Sequence, residues 1–213
     1  MFSAWHFIYM TPYETNGGTE MKKCAVCCLA VVITVFMIAN SVSAAGYPPA
    51  VGGTLPDIKL SMPKDMADKN YLGLGIFGFG SFKIPQIKAQ LVIVEIFSMY
   101  CPYCQREAPN VNQLYAKIEQ SPVPKGKIKI IGIGVGNTSY EVGTFKKKYN
   151  VPFPLFADGD YVIHKMVGEA RTPYFIGVKI NPDGSHQVIY SKLGELGSVD
   201  QFLGLMIRLS GIQ

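Results

Sequence analysis

The sequence predicts an α/β domain, a mixed sheet flanked by helices, and three observations carry that expectation. Short β-branched runs at Leu91–Phe97 and Lys127–Val135 alternate with segments of helical spacing. An Asn181-Pro182-Asp183-Gly184 turn joins two later apolar runs as an antiparallel hairpin. A last amphipathic segment follows Ser198. Alternating strands and helices that end in a hairpin and a helix give a sheet parallel at first and antiparallel at its end.

The fold is expected to begin well inside the chain of 213 residues. Met21-Lys22-Lys23 is a basic start, Cys24–Ala39 is apolar, and Val42-Ser43-Ala44 supplies small residues for cleavage. That is the pattern of a secretory signal peptide. Residues 1–20 carry neither a core nor a targeting pattern, so translation is expected to start at Met21. Left uncut, residues 21–44 are long enough to anchor the chain in a membrane. Cleavage is preferred, because the strongly apolar part is short and ends in a V-x-A site. Residues 45–213 then form one domain.

Three of the five cysteines, Cys24, Cys27 and Cys28, leave with the leader, and only Cys101 and Cys104 remain. An exported chain whose sole cysteines are a C-x-x-C pair is no multi-disulfide scaffold. The net charge of +5 is spread in short groups, of which Lys146-Lys147-Lys148 is the longest. On a helix these lysines point to different sides, so a solvated face is expected and no nucleic-acid partner. A mild attraction to anionic lipid or acidic partners remains.

In order, residues 45–56 are a Gly/Pro-rich approach, Asp57–Met62 a short edge strand, and Pro63–Tyr71 a turn or single helical turn. Leu72–Phe82 alternates glycine with large apolar groups, and Gly73–Gly78 formally matches G-x-G-x-x-G. More glycine follows instead of a helix, so a β-hairpin or apolar loop near the active site is expected, and no dinucleotide. Leu91–Phe97 is a buried strand. Pro102 to about Glu119 is a helix with Ala108, Val111, Leu114, Tyr115 and Ile118 on one face, kinked by Pro109 near Gln105. Ser121–Gly126 is a loop and Lys127–Val135 a strand. A helix over Tyr140–Tyr149, a short strand at Phe153–Phe156 and a short helix at Asp160–Val167 come next. Tyr174–Ile180 pairs with His186–Lys192. Ser198 caps a final helix with Val199, Phe202, Leu203, Met206 and Leu209 as its apolar stripe.

The chemistry gathers at Val92–Glu107, VIVEIFSMYCPYCQRE. Pro102 suits the first turn of a helix, which places Cys101 at the N-cap with unpaired N–H groups and the positive dipole end at its sulfur. Such a position favours the thiolate. Cys104 lies three residues on, on the same face and within reach of a disulfide. A thiol–disulfide exchange site is expected, with Cys101 attacking and Cys104 resolving. A zinc site needs two more ligands, and the domain offers only His164 and His186, both read as structural or solvated. Glu95, six residues before Cys101 and among apolar neighbours, is expected inside the sheet with a raised pKa; the alternative is an edge position in solvent. Glu107, one turn after Cys104, either tunes the thiol pair or is a surface charge. Arg106 is read as solvated, and Tyr103 as shaping the exposed surface.

Tyr100, Cys101, Cys104, Glu107 and Pro109, followed by Thr172-Pro173, resemble the thioredoxin superfamily and, within its redoxin group, the TlpA/ResA-like extracytoplasmic thiol–disulfide oxidoreductases. The resemblance spans nearly all of residues 45–213. It implies a thioredoxin-like fold with a central βαβ insertion, supplied by Tyr140–Phe156. It casts Glu95 as proton acceptor for the resolving cysteine, although many TlpA-like members carry an uncharged residue there. It implies a cis Thr172–Pro173 bond facing the cysteines. Tyr100, Pro102, Tyr103, Thr172 and Pro173 would then meet the substrate chain. The implied partners are protein thiols or disulfides and an upstream electron donor or acceptor. Reductase work in the periplasm, or at the inner membrane if the leader is retained, follows from the same likeness. No cofactor and no metal are expected.

Two alternatives share the fold. A peroxiredoxin-type peroxidase is suggested by Arg171 and Ser98, but Val94 stands where that motif needs proline. A Sco-like copper-binding module would need His164 as third ligand and uses C-x-x-x-C, not C-x-x-C.

Overall fold

A computed structural model describes residues 47–75 and 80–213. The leader assigned to residues 1–44 and the middle of the glycine-rich stretch, residues 76–79, lie outside the described residues. In chain order the elements are β1 (Lys59–Ser61), α1 (Met66–Leu72), β2 (Ser81–Lys83), β3 (Leu91–Phe97), α2 (Pro102–Gln120), β4 (Ile128–Val135) and α3 (Ser139–Lys148). There follow β5 (Leu155–Asp158), α4 (Val162–Met166), β6 (Tyr174–Ile180), β7 (His186–Leu193) and α5 (Val199–Ser210). The main sheet has the order β5-β4-β3-β6-β7. β3, β4 and β5 run parallel, and β6 and β7 are antiparallel to their neighbours. This is a thioredoxin-like α/β fold, in which the β4–α3–β5 unit supplies the edge strand.

Both faces of the sheet are covered, which is why β3 and β4 read as unbroken apolar runs. Val92, Val94 and Ile96 share one layer with Ile131, Ile133 and Ile176, under the β1–β2 ribbon and α4. Ile93, Phe97 and Phe175 share the other with α2, α3 and α5. Burying such an apolar side chain stabilises by about 1.5–3 kcal/mol, and all seven residues of β3 are buried, so the strand that leads to the cysteines is firmly held. Gly132 of β4 faces Glu95 of β3. A Cβ there would collide with Leu155 and press on the Phe97 ring, so glycine lets the two parallel strands close over that layer.

Several boundaries differ from those the sequence predicts. The stretch read as a turn at Pro63–Tyr71 holds α1: Asp65 accepts from the Ala67 N–H at 3.0 Å, and Gly73 closes the helix at φ 66°. Gly73 therefore ends a helix rather than opening one, which is the reverse of a dinucleotide loop. β1 and β2 pair antiparallel, Leu60 opposite Phe82, but through a long connection that includes α1 instead of a tight hairpin. β5 starts two residues late. Pro152 and Pro154 have no N–H for the ladder, Phe153 is buried in the helix-side layer, and Pro154 offers only its carbonyl, to Gly132 N at 3.0 Å. α2 keeps its expected extent, running through Pro109 to Gln120.

Leu209, assigned to the stripe of the last helix, is 42 % exposed, and Ser210 is buried in its place. Three turns of helix span about 10.8 residues, so the line from Val199 arrives at 210, not 209. Tyr115 is only half-buried, with its ring against Tyr71 and Phe153. Among the described residues no helix is long and apolar enough to cross a membrane.

Candidate active site

β3 ends at Phe97, and Ser98–Tyr100 carry the chain into α2. Asn137, fully buried after β4, accepts from the Met99 N–H at 2.8 Å. The Gln105 side chain donates to the Met99 carbonyl at 2.7 Å, so the turn is gripped from both sides. Cys101 takes the N-cap with extended backbone (φ −81°, ψ 116°) and Pro102 at the first helical position. Its sulfur accepts no side-chain cap hydrogen bond, and as a thiol it donates to the Thr172 carbonyl at 3.3 Å. Both cysteines are free thiols here.

The two sulfurs have opposite environments. At Cys101, partial burial pushes the thiol pKa up, but hydrogen bonds from the Thr172 side chain, from the N–H groups of Cys104 and Tyr103 and from the Cys104 thiol outweigh it, and the pKa ends below its ordinary value. Cys104 is 0 % exposed. Burial drives its pKa far up, and the Glu95 carboxylate adds to that, against a smaller opposing hydrogen bond from the Ser98 backbone. One sulfur is thus favoured as the thiolate and the other as the thiol.

Glu95 lies in the sheet, on the α2 face with Ile93 and Phe97, and is 3 % exposed. Its Oε1 has no hydrogen-bond partner, and burial, with the nearby Glu107 charge, raises its pKa to about 8. Glu107 is 1 % exposed, so the surface-charge reading fails. It accepts from the Leu196 N–H at 2.8 Å and from Asn110 at 3.1 Å, tying α2 to the loop between β7 and α5. Burial lifts its pKa, partly offset by those two donors.

Around the cysteines, Tyr100 is exposed and donates to Glu141 at the start of α3. Tyr103 is exposed, with the Arg106 guanidinium 4.5 Å above its ring. Arg106 is thus not simply solvated: it also pairs with Glu195 at 3.2 Å. The Thr172–Pro173 bond is cis, and Thr172 faces Cys101 through its carbonyl. Tyr103, Thr172, Pro173 and Arg171 line a groove of about 370 Å³ whose far wall is Leu193–Glu195. The remaining expected contact, Pro102, opens α2.

The histidines are structural: His164 Nε2 meets the Ala170 carbonyl at 3.0 Å, and His186 Nε2 the Leu55 carbonyl at 3.3 Å. Among the described residues no group of three or more His, Cys, Asp or Glu side chains is placed to hold a metal. A Sco-like copper site with His164 as ligand is not assembled. Asn137 went unnoticed in the sequence, and its signal was slight: one polar residue between an apolar strand and a helix.

A thioredoxin-like fold that presents an unequal cysteine pair at a helix N-terminus defines a thiol–disulfide oxidoreductase. The chain belongs to the AhpC/TSA family, whose model it matches over residues 51–187. Its relatives include thiol-disulfide oxidoreductase ResA of Oceanobacillus iheyensis, 22% identical over 177 residues, 82% of this chain and 82% of that one. ResA of Geobacillus thermodenitrificans is 26% identical over 129 residues, 60% of this chain and 63% of that one. Among solved structures, a putative thiol:disulfide interchange protein DsbE from Chlorobium tepidum superposes with a TM-score of 0.55 at 16% identity, covering 76% of this chain and 98% of that one. StoA from Bacillus subtilis gives 0.50 at 17% identity, over 71% and 98%. These likenesses share the fold.

Proposed function

We propose that the chain is an exported enzyme that reduces disulfides in other proteins, with Cys101 attacking and Cys104 resolving. The single observation that carries this is the inequality of the two sulfurs: Cys101 partly open at a helix N-terminus with its pKa lowered, Cys104 sealed beneath it with its pKa raised. The Cys101 thiolate attacks one sulfur of a substrate disulfide, forms the mixed disulfide and expels the first substrate thiolate. Cys104 then loses its proton to the ionised fraction of Glu95, attacks the Cys101 sulfur and releases the second substrate thiolate. Two electrons leave the enzyme dithiol, the Cys101–Cys104 disulfide forms, and an upstream dithiol donor restores it. Thr172 and Pro173 would offer backbone to the bound chain, and Tyr100, Pro102 and Tyr103 the surface around it.

Export rests on the leader pattern of residues 21–44, and a periplasmic site of action on the likeness to TlpA/ResA-like proteins. If the leader stays, the domain works at the inner membrane. A peroxidase is the second reading, favoured by the family match. Against it stand Val94, where that motif needs proline, and the C-x-x-C spacing of Cys101 and Cys104.

The test is trapping. Cys104→Ala is expected to accumulate mixed disulfides with substrate proteins through Cys101, whereas Cys101→Ala forms none and has no activity. Stable adducts from both variants in equal yield would contradict the assignment of attacker and resolver.

A further inference from the structure

We propose that Arg171 selects substrates bearing an acidic side chain next to the reacting cysteine, an inference that rests on the function proposed above. The groove beside Cys101 is walled by Tyr103 and Leu193, 56 % and 40 % exposed, which give it an apolar lining. Two charges of opposite sign line it, and they are not equally available. Glu195 is already neutralised by Arg106, itself fixed over the Tyr103 ring. Arg171 is exposed and makes no ion pair or side-chain hydrogen bond among the described residues. The groove therefore keeps one uncompensated positive charge. Arg171 directly precedes Thr172, whose carbonyl lies 3.3 Å from the Cys101 sulfur, so a chain lying along the groove passes this cation within a residue or so of its own cysteine.

A guanidinium donates two parallel hydrogen bonds to a carboxylate and repels a lysine. A partly exposed pair of this kind shifts an equilibrium or rate by about two- to five-fold, and salt screens it. The test compares two substrates on one enzyme, so any effect of Arg171 on the Cys101 nucleophile cancels in the rate ratio.

The experiment is a single-turnover oxidation of the reduced protein by three end-blocked peptide disulfides. Their cysteines are flanked by glutamate, by lysine or by glutamine. In each, the enzyme dithiol becomes the Cys101–Cys104 disulfide and its two protons end on the two peptide thiols. The glutamate-to-lysine rate ratio is expected to fall by about two- to five-fold in Arg171→Gln, to be kept in Arg171→Lys, and to approach the Arg171→Gln value in high salt. A ratio identical in wild type and Arg171→Gln overturns the inference. The glutamine peptide keeps the two claims apart. If it fails to oxidise the wild-type dithiol, the oxidoreductase reading falls and this one with it. If it succeeds while the charge preference is absent, only this inference falls.

Discussion

Glu95 sits where a charge is costly, opposite a glycine in the centre of a sheet covered on both faces. Burial and the Glu107 charge put its pKa near 8, so at neutral pH it is largely protonated in the folded chain and ionised in the unfolded one. Its folded value exceeds its unfolded value. The folded state therefore binds the extra proton between about pH 4.5 and 8, and stability falls as pH rises through that window. Glu95→Gln flattens the slope, leaving the smaller contribution of Glu107: the urea midpoint should fall less steeply with pH, and at pH 9 the variant should be more stable by roughly 3–5 kcal/mol. Its resolving step should slow on the order of 10²-fold, because Cys104 loses its proton acceptor. A Glu95→Gln variant with wild-type pH dependence of stability would sink the buried-acid account. That Glu95 is buried was legible, since its neighbours in the strand are all apolar. The place of Glu107 was not, because its partner Leu196 lies 89 positions away along the chain and nothing local announces it.

At the scale of elements, α2 does two jobs. Its N-terminus presents the cysteines, and its second turn, through Glu107, holds the loop that forms the far wall of the groove. Removing that carboxylate leaves the Leu196 N–H and the Asn110 amide without their acceptor. Glu107→Ala should cost about 1–3 kcal/mol in the urea midpoint and speed amide exchange at Leu196; Glu107→Gln, which keeps an acceptor oxygen, should cost less. Equal stability and unchanged exchange in Glu107→Ala would show that the loop does not depend on it. The strand–helix junction at Cys101 was readable because an apolar β-branched run stops at a proline suited to a helix start. Elements set by long-range contacts were less so. α1 depends on its Asp65 cap and Gly73 stop inside a stretch rich in polar residues, and β5 was displaced by two prolines that cannot donate to the ladder.

For the whole molecule, the sheet order brings two distant segments to the same edge. The carboxyl end of β3 delivers the cysteines, and the segment before β6 delivers Thr172 and Pro173 against them. That the sheet is parallel at first and antiparallel at its end was legible from the alternation of strands with helices and the terminal hairpin; the order of the strands came with the fold. The Asn137 brace and the Arg106–Glu195 pair emerged only when the chain was folded. The Cys101 thiolate is favoured, while Cys104 stays protonated, so only one of the two sulfurs stabilises the reduced state by ionising. The proposed reductase role places the Cys101–Cys104 couple nearer the thioredoxin value of about −270 mV than the DsbA value of about −120 mV, as redox-buffer equilibration at pH 7 would show. A value at the DsbA end would make the chain an oxidant. The account as a whole stands on one exposed, ionisable sulfur above one sheltered, protonated sulfur. Alkylating the reduced native protein with a neutral haloacetamide across pH, and mapping the adducts by mass, reads that difference directly. Modification confined to Cys101, half-maximal below the ordinary thiol pKa, is the predicted result; equal labelling of both cysteines, or Cys104 first, would contradict it.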